Sequence, residues 1–284
     1  YKSADQGNSW TAMNIELPVG EVQNLAADPN RPGTLYAAIW REGIYRSLDG
    51  GGSWREENGP PDVPNQPSQK VSKFINTFVL DAGQSPPRLF AGTTGEGVYE
   101  GVEVGGHLSW TPRASNLPGS GSVLSLAIVP GAPPALFAGS FQNGIFKLPM
   151  DDASLSASAW TPASADLSDK SVFALAVHPQ LSSVLFAGTS NGVYKSGDAG
   201  ANWTLSGLEN IDVHFIAFDS TTAANPALYA GTSAGVYKSV DLAAAWTHLD
   251  DGMTAPVFSI LADPTQNNII YAGTIVSGVY KRTD

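Results

Sequence analysis

Acidic residues recur in the predicted loops that lead into apolar stretches of the chain. The candidates are Asp166, Asp169, Glu209, Asp212, Asp250 and Asp251. Glycoside hydrolysis uses two carboxyl groups, one protonated and one ionised, roughly 5 to 9.5 Å apart. Spacing along the chain does not single out one pair, so the pattern favours a solvated acidic rim. An enzyme with an unrecognised carboxylate pair stays open as an alternative.

The four histidines are scattered over different parts of the sequence and have neither His-x-x-x-His spacing nor a fixed partner. They are His107, His178, His214 and His248. Metal ligation is therefore not expected. His214 lies in a predicted inner strand and follows Asp212, and both are candidate ligand-binding residues. No phosphate-binding Gly-rich loop or nucleophile elbow is present, so we predict no cofactor, no metal site and no catalytic residue.

A repeated pattern of four short strands must position these side chains. An apolar strand is followed by a Leu-Tyr/Phe-Ala-Gly strand, then by a Gly-Val/Ile-Tyr/Phe strand, then by a strand that opens with Trp. The pattern occurs six times, with units of roughly 42 to 56 residues, which is typical of the blades of a β-propeller. The second-strand aromatics are Tyr36, Phe90, Phe137, Phe186, Tyr229 and Tyr271; the tryptophans are Trp10, Trp54, Trp110, Trp160, Trp203 and Trp246.

The repeats predict an all-β fold, a six-bladed β-propeller of four-stranded antiparallel blades in a single domain over residues 1–284. The last unit lacks a Trp strand, whereas the first Trp strand precedes any inner strand. We therefore expect the N-terminal outer strand around Trp10 to complete the C-terminal blade, over residues 257–284, and to close the ring. Residues 1–3 repeat the pattern of residues 280–282 and have no assigned place. Because no leader or long apolar segment is seen, the chain is interpreted as a mature or trimmed soluble protein.

A turn motif, Ser-x-Asp-x-Gly-x-x-Trp, connects the third and fourth strands. It occurs with its serine at Ser3, Ser47 and Ser196, and a fourth copy starting at Ser239 has alanine at the glycine position. Short Ser and Asp side chains bond to nearby backbone, Gly takes positive φ, and Trp is expected to cap the turn. One carboxylate in each turn is too few for a calcium site, so the motif is interpreted as structural.

These turns resemble those of the BNR/Asp-box propeller superfamily, and the resemblance covers the whole chain. That superfamily includes sialidases, two-propeller xyloglucanases, sortilin-type receptors and a photosystem II assembly factor. The resemblance implies the propeller fold and leaves the function open, because the same turn occurs in enzymes, receptors and assembly factors.

A sialidase-like site implies three arginines around a substrate carboxylate, together with a tyrosine nucleophile at the mouth of the propeller. The arginines here are Arg31, Arg41, Arg46, Arg55, Arg88, Arg113 and Arg282, and only Arg41 plainly falls in a predicted mouth loop. The Arg-Ile-Pro element of that family is absent. The xyloglucanases use two propellers, whereas this sequence predicts one. Neither activity is therefore favoured.

The hairpin tips between the second and third strands differ most from one repeat to the next. Variation on a repeated scaffold is where ligand specificity can reside. Aromatic residues beside polar ones at two tips, Trp40 and Phe141, suit stacking on a sugar ring or anchoring of a protein loop. The predicted ligand-binding residues are Trp40, Arg41, Glu42, Glu96, Phe141, Gln142, Asn143, Asn191, Asp212 and His214.

Composition limits the partners. The net charge of −11 disfavours nucleic acid, and direct membrane insertion is not expected. The absence of cysteine excludes disulfides and thiolate chemistry. We predict a non-catalytic secreted, periplasmic or cell-surface propeller that binds a protein or glycan at its mouth. The alternatives are a glycoside hydrolase or lyase, and an assembly factor or repeat module of a larger surface protein.

Overall fold

The structure is a computed structural model of the chain. It describes residues 1–59, 70–84, 86–113, 117, 121–151, 155, 157, 160–167, 170–219, 226–249, 255–264, 266 and 269–283. The strands are β1 (Val22–Ala27), β2 (Leu35–Ile39), β3 (Gly43–Ser47), β4 (Arg55–Glu56), β5 (Ile75–Asp81), β6 (Arg88–Thr93), β7 (Val98–Val104), β8 (His107–Pro112), β9 (Val123–Val129), β10 (Ala135–Ser140), β11 (Gly144–Pro149), β12 (Thr161–Pro162), β13 (Val172–Val177), β14 (Leu185–Thr189), β15 (Gly192–Ser196), β16 (Thr204–Leu205), β17 (Val213–Phe218), β18 (Leu228–Thr232), β19 (Gly235–Ser239), β20 (Thr247–His248), β21 (Val257–Ala262), β22 (Ile269–Thr274) and β23 (Val279–Thr283).

These strands form six antiparallel sheets in chain order, which confirms the predicted all-β, six-bladed propeller. Blades 1 to 5 have four strands each, namely β1–β4, β5–β8, β9–β12, β13–β16 and β17–β20. Blade 6 has three strands, β21–β23, in the part of the chain that the structure describes. The predicted strand types match this order, because each Leu-Tyr/Phe-Ala-Gly segment is the second strand of its blade.

The N-terminal segment corrects one prediction. Thr11 was expected to extend blade 6, but it pairs with Lys2 in an isolated antiparallel bridge. The same register joins the third and fourth strands elsewhere, as in the pairs Lys195 with Thr204 and Lys238 with Thr247. The first turn motif brings Lys2 and Thr11 together within a few residues, so local closure costs little loop entropy. Residues 1–11 therefore form a hairpin of the third-and-fourth-strand type, which gives residues 1–3 their place.

The chain divides into two compact units. Unit 1 comprises residues 1–126 and 155–159, and unit 2 comprises residues 127–154 and 160–284. The core of unit 1 contains Tyr36, Ile75 and Trp110. Unit 2 has three apolar clusters, which include Phe137, Phe186 and Tyr229. A single domain over residues 1–284 stays a prediction.

Five of the six second-strand aromatics are buried and Tyr271 is half-buried, and most of them are covered by a basic side chain from the third strand. Four lysine Nζ atoms lie 5.4 to 5.9 Å from the aromatic ring centroids. The pairs are Lys147 with Phe137, Lys195 with Phe186, Lys238 with Tyr229 and Lys281 with Tyr271. Each pair is directly opposite across two neighbouring strands, so cation–π attraction supports the strand register.

Blade 1 replaces that lysine with Arg46, which belongs to a buried ion-pair network. Its guanidinium lies 2.7 Å from the carboxylate of Glu57 and 3.0 Å from that of Glu103. Glu57, whose side chain is fully buried, also accepts a hydrogen bond from the main-chain N–H of Leu108 in blade 2 at 2.8 Å. A buried carboxylate needs such partners because burial removes its hydration. Glu57 therefore connects blades 1 and 2.

The Ser-x-Asp turns have the predicted hydrogen bonds. Ser47 donates to Asp49 at 2.7 Å and accepts from the main-chain N–H of Gly51 at 2.8 Å. Asp49 accepts from the main-chain N–H of Ser53 at 2.9 Å. This N–H and the hydroxyls of Ser47 and Ser53 hold the pKa of Asp49 at about 2. The carboxylate therefore stays ionised and bonded at ordinary pH.

The tryptophans of the repeats have a role beyond the expected cap. Most of these indoles donate to a main-chain oxygen about 40 to 53 residues earlier, three residues after the tryptophan of the preceding repeat. The pairs are Trp54 with Met13, Trp110 with Glu57, Trp203 with Ala163 and Trp246 with Ser206, at 2.7 to 2.9 Å. Trp10 instead donates to Gly7 in its own turn at 3.1 Å. The motif therefore connects neighbouring repeats as well as closing a turn.

Among the described residues, no helix is long and apolar enough to cross a membrane.

Candidate functional site

The tip of blade 1 carries an aromatic pair. Trp40 packs edge-on against Phe74, with ring centroids 5.5 Å apart and an interplanar angle of 74°. Phe74, in the segment before β5, is 41% exposed, and Trp40 is half-buried. Arg41 follows with φ of 68°, a left-handed conformation that closes the tight hairpin and leaves its side chain exposed. The pair presents apolar ring surface to solvent beside a cation.

Glu42 completes this tip. Its carboxylate lies 3.9 Å from the Lys73 ammonium, and its main-chain oxygen accepts from the Asn58 side chain at 2.6 Å. Asn58 also accepts from the main-chain N–H of Ile44 at 2.7 Å. Buried hydrogen bonds of this kind fix the backbone of the hairpin. The aromatic pair and the charged groups therefore stand on a well-supported turn.

Glu96, at the tip of blade 2, is bonded through both carboxylate oxygens. Ser72 donates to one oxygen at 2.9 Å and Tyr99 donates to the other at 2.7 Å. Burial raises the pKa of Tyr99 to about 12, and the bond to Glu96 and its charge act in the same direction. The hydroxyl of Ser72 also accepts from the main-chain N–H of Phe74 at 3.3 Å. Glu96 is thus connected through Ser72 to the aromatic pair of blade 1.

These residues form what we call the unit 1 tip cluster: Trp40, Arg41, Glu42, Ser72, Lys73, Phe74, Glu96 and Tyr99. The sequence predicted four of them as ligand-binding residues. It missed Phe74, Ser72, Lys73 and Tyr99, because the segment before β5 has no counterpart in the other repeats. The Tyr of the third strand recurs in most repeats, so its type alone did not distinguish Tyr99.

The arginines of unit 1 are mostly engaged with carboxylates of the protein itself. Arg31 contacts Asp28 at 2.7 Å, Arg88 contacts Asp81 at 2.9 Å, and the pairs of Arg46 and Arg55 with Glu57 and of Arg113 with Glu100 are equally close. Their guanidinium groups therefore neutralise internal charge. Arg41 is the arginine that belongs to a tip, so the described residues do not assemble an arginine triad.

The predicted tip of blade 3 is open to solvent. Phe141 is 45% exposed, and its main-chain oxygen accepts from the side chain of Asn143 at 3.1 Å. Gln142 between them has φ of 64°, which turns the chain sharply. The structure therefore places Phe141, Gln142 and Asn143 together on one hairpin. No other predicted site residue contacts this hairpin through a described hydrogen bond.

Asn191 and Asp212 support the hairpins of blades 4 and 5. The side-chain oxygen of Asn191 accepts from the main-chain N–H of Asn210 at 2.9 Å. The main-chain oxygen of Asp212 accepts from the N–H of Ser233 at 3.0 Å. These bonds connect the segment that leads into β17 with two adjacent tips. Asn191 therefore has a supporting role.

His214 lies in a row of rings that crosses three first strands in unit 2. Its imidazole is stacked on Phe258, with centroids 4.3 Å apart and planes inclined by 9°. On its other side Phe173 lies 5.8 Å away at 56°. Burial lowers the pKa of His214, and the negative charge of Asp212 opposes this in part. His214 is therefore a neutral aromatic group at ordinary pH.

Sequence reasoning missed Phe173 and Phe258, although a signal was present. In three consecutive repeats the second residue of the first strand is a ring-bearing residue that follows valine. The apolar strand pattern in which Phe173 and Phe258 lie predicts burial and does not mark them as site residues. We call Phe173, His214 and Phe258 the aromatic row.

The remaining carboxylate candidates do not form a pair in the described structure. Asp166 and Glu209 are exposed and lie in separate loops. Asp169, Asp250 and Asp251 lie outside the described residues. Within the described parts of the chain, no group of three or more His, Asp or Glu residues is placed to hold a metal ion.

Comparison with solved structures places the fold among known β-propellers. An ancestral GH74 enzyme is 21% identical, with a TM-score of 0.69 over 92% of this chain and 36% of that chain. The GH74 xyloglucanase from Xanthomonas campestris is 19% identical, with a TM-score of 0.62 over 89% of this chain and 42% of that chain. The extracellular domain of the putative hybrid two-component system BT3049 from B. thetaiotaomicron is 16% identical, with a TM-score of 0.70 over 99% of this chain and 35% of that chain.

At these identities the likeness shows the fold alone. The chain spans only about a third to two-fifths of the length of these three structures. It matches no protein-family model and no curated protein.

Proposed function

We propose that this chain is a non-catalytic propeller that binds a protein or glycan ligand through the unit 1 tip cluster. The observation that carries the proposal is the solvent-facing Trp40–Phe74 pair, linked through Ser72 to Glu96. Rigid aromatic rings contribute large contact area at small entropic cost, and adjacent charged groups orient a polar partner. Ligand pockets and protein-binding anchors both use this combination.

The bonding of Glu96 and Tyr99 argues against a catalytic role for either. Both oxygens of Glu96 already accept hydrogen bonds, and Tyr99 keeps its proton far above neutral pH. A substrate proton would have to compete with these two donors for the Glu96 oxygens, and a tyrosine nucleophile needs a lowered pKa. The cluster therefore supports recognition better than bond cleavage.

We also propose a location outside the cytoplasm, in a secreted, periplasmic or cell-surface protein of the BNR/Asp-box type. The support comes from the repeated Ser-x-Asp turns and from the fold neighbours, which include an extracellular domain and xyloglucanase enzymes. The exposed Trp40–Phe74 surface fits a neutral glycan or an apolar protein loop.

A binding and turnover experiment tests this proposal. The full chain is screened against xyloglucan oligosaccharides, other immobilised glycans and a panel of surface proteins, and released reducing sugar is measured in parallel. We expect binding without product, and an affinity loss of at least about tenfold in Trp40→Ala and Phe74→Ala. Leu48→Ala, which truncates an exposed apolar residue in the turn at the other end of β3, is the matched control.

Turnover would overturn the proposal. If sugar is released and the release disappears in Glu96→Gln or Glu42→Gln, the chain is a hydrolase or lyase. Binding that is unchanged in both aromatic variants would exclude the tip cluster as the ligand site.

A further inference from the structure

The same backbone irregularity recurs at the second residue of the first strand. In five blades the pairing of the first and second strands skips this residue, which is the pattern of a β-bulge. The skipped residues are Gln23, Asn76, Phe173, His214 and Phe258. A bulge turns one side chain out of the regular alternation, and bulges are enriched beside binding sites for this reason.

The bulged side chains differ between the two units. Unit 1 has the amides of Gln23 and Asn76, and the Asn76 amide donates to the main-chain oxygen of Val123 at 3.1 Å. Unit 2 has the aromatic row. The Asn76 amide therefore bonds to the protein itself. The rings of unit 2, in contrast, present surface without hydrogen-bonding capacity.

The burial of the residues that precede the aromatic row indicates that its rings are not core residues. Val172, Val213 and Val257, which immediately precede them, are fully buried. Phe173 and His214 are only half-buried, and Phe258 is 41% exposed. An aromatic side chain that leaves such area in water loses much of its hydrophobic stabilisation. Three such rings in consecutive blades form a contiguous surface, and contiguous exposed apolar surface marks interaction sites.

We propose that the aromatic row is a binding platform for a neutral saccharide chain, with one sugar ring against the exposed surface of Phe258 that is turned away from His214 and the chain continuing along the exposed ring edges of the row. A pyranose ring has an apolar C–H face and a rim of hydroxyls. The row supplies the apolar surface, and the carboxylate of Asp212, two residues before His214, is a hydrogen-bond acceptor for hydroxyls. This site uses first strands of unit 2 and shares no residue with the tip cluster of unit 1.

Charge favours a neutral ligand over an anionic one. The chain has a net charge of −11, and the negative charge of Asp212 acts on His214. Strands β13, β14, β18 and β21, which pack against β17, contain no charged side chain. In the described segments that directly flank these strands, the basic residues are Lys170, which donates to the main-chain oxygen of Ser164, and His178. An anionic ligand would therefore lack a cation to neutralise it.

The titration of His214 gives the site a pH signature. A sugar that covers the row removes more water from the imidazole and disfavours its protonated form. Binding should therefore weaken as pH falls through the pKa of His214, with Asp212 opposing the effect by stabilising the cation. His214→Phe retains a stacking ring and has no proton to gain, so it should bind independently of pH in the same range.

The full chain is tested on an array of immobilised neutral polysaccharides that includes glucans, mannans, xylans and galactans. We expect at least one to bind, with an affinity loss of about tenfold or more in Phe258→Ala and His214→Ala and retained binding in His214→Phe. The control is His248→Ala, which removes an imidazole stacked on Tyr237 at 4.6 Å in an outer strand. Nuclear magnetic resonance of the His214 ring should show that the bound polysaccharide fragment lowers its pKa further.

The outcomes separate this inference from the proposed function. Loss of saccharide binding in the Phe258→Ala and His214→Ala variants, with binding by Trp40→Ala unaffected, supports the aromatic row as the saccharide-binding site. Loss in Trp40→Ala with the row variants unaffected overturns the row and leaves the tip cluster standing. Failure to bind any neutral polysaccharide, binding confined to peptides or cations, or an unchanged pKa of His214 in the bound state also overturns the inference.

Discussion

The indole nitrogen of Trp246 donates a hydrogen bond over 2.8 Å to the main-chain oxygen of Ser206, and thereby connects blade 5 to blade 4. The same bond joins Trp203 to Ala163 one repeat earlier. Within the described parts of the chain, the indole of Trp10 donates inside its own turn, to Gly7, and the residue is 47% exposed. One residue type at one position of the motif thus has two different environments, which permits a matched comparison.

Trp246→Phe should lower the free energy of unfolding by about 1 kcal/mol or slightly more, because it keeps most of the ring and leaves the Ser206 oxygen without its donor. Trp10→Phe should change the free energy of unfolding by no more than about 0.5 kcal/mol. Urea unfolding of both variants measures the difference. Equal losses would show that the bond to the preceding blade contributes nothing.

Glu57→Gln should be strongly destabilising. The substitution removes the charge that balances the buried guanidinium of Arg46, and loss of one partner from a buried ion pair costs roughly 3 to 5 kcal/mol. Glu42→Gln is the control, because its carboxylate is 3.9 Å from Lys73 in a partly exposed pair that is worth about 0 to 1 kcal/mol. Calorimetric unfolding compares the two. A loss below about 1 kcal/mol in Glu57→Gln would contradict the role assigned to this carboxylate.

Gly200→Ala should cost more than Gly106→Ala although both glycines have positive φ, of 82° and 84°. A Cβ at residue 200 would lie 2.4 Å from Cε1 of the fully buried Phe137, whereas a Cβ at residue 106 meets no atom within 4 Å. The backbone conformation alone costs about 1 kcal/mol. Overpacking against Phe137 adds roughly 1 to 3 kcal/mol. Similar unfolding midpoints for the two variants would disprove the predicted clash.

His178 should make the protein less stable as pH falls. Its Nδ1 accepts from the main-chain N–H groups of Gln180 and Leu181, each at 3.1 Å, so protonation breaks both bonds. Burial lowers the pKa of His178 below 6.5, and the charge of Lys195 adds to this. The unfolded chain therefore takes up protons first, and stability declines from about pH 6.5 down to the folded-state pKa.

His178→Asp tests this effect. Asp28 and Asp263 accept from the equivalent turns of blades 1 and 6, at 2.9 and 3.2 Å, so aspartate fits the position. The variant should lose less stability than the wild type between about pH 7.5 and pH 5.5, as measured by urea unfolding at both values. His214 keeps its own contribution in both proteins, because its pKa is lowered as well. An identical pH dependence in both proteins would exclude His178 as a source.

The blade count and strand order followed from the sequence because each repeat carries its own signals: glycine at the second hairpin, an aromatic in the second strand and tryptophan before the fourth. The pairing partner of Thr11 could not be predicted from the sequence. Lys2 and Lys281 both follow the tyrosine of a third-strand pattern, and only the structure shows that Thr11 pairs with Lys2. In the same way, the sequence marked Trp40 as a tip residue but gave no sign that Phe74 packs against it.

The aromatic row and the Glu57 network have a common reason for being missed. Both depend on contacts between residues that are one whole repeat apart, such as His214 with Phe258 and Glu57 with Leu108. Patterns within a repeat predict strands and turns, whereas the register between adjacent blades is set by packing. Bulges at the second residue of the first strand are also invisible to a simple alternation of apolar and polar residues.

The indoles of Trp54, Trp110, Trp203 and Trp246 each bond to the repeat before their own, and they lie in the turn before the fourth strand or in the fourth strand itself. The second-to-third hairpins sit at the far end of the third strand from this turn. The hydrogen bonds between consecutive repeats and the proposed ligand contacts of the tip cluster thus lie at opposite ends of the third strands. The tip sequences can therefore change, through natural variation or by design, while the indole hydrogen bonds to the preceding repeat stay intact.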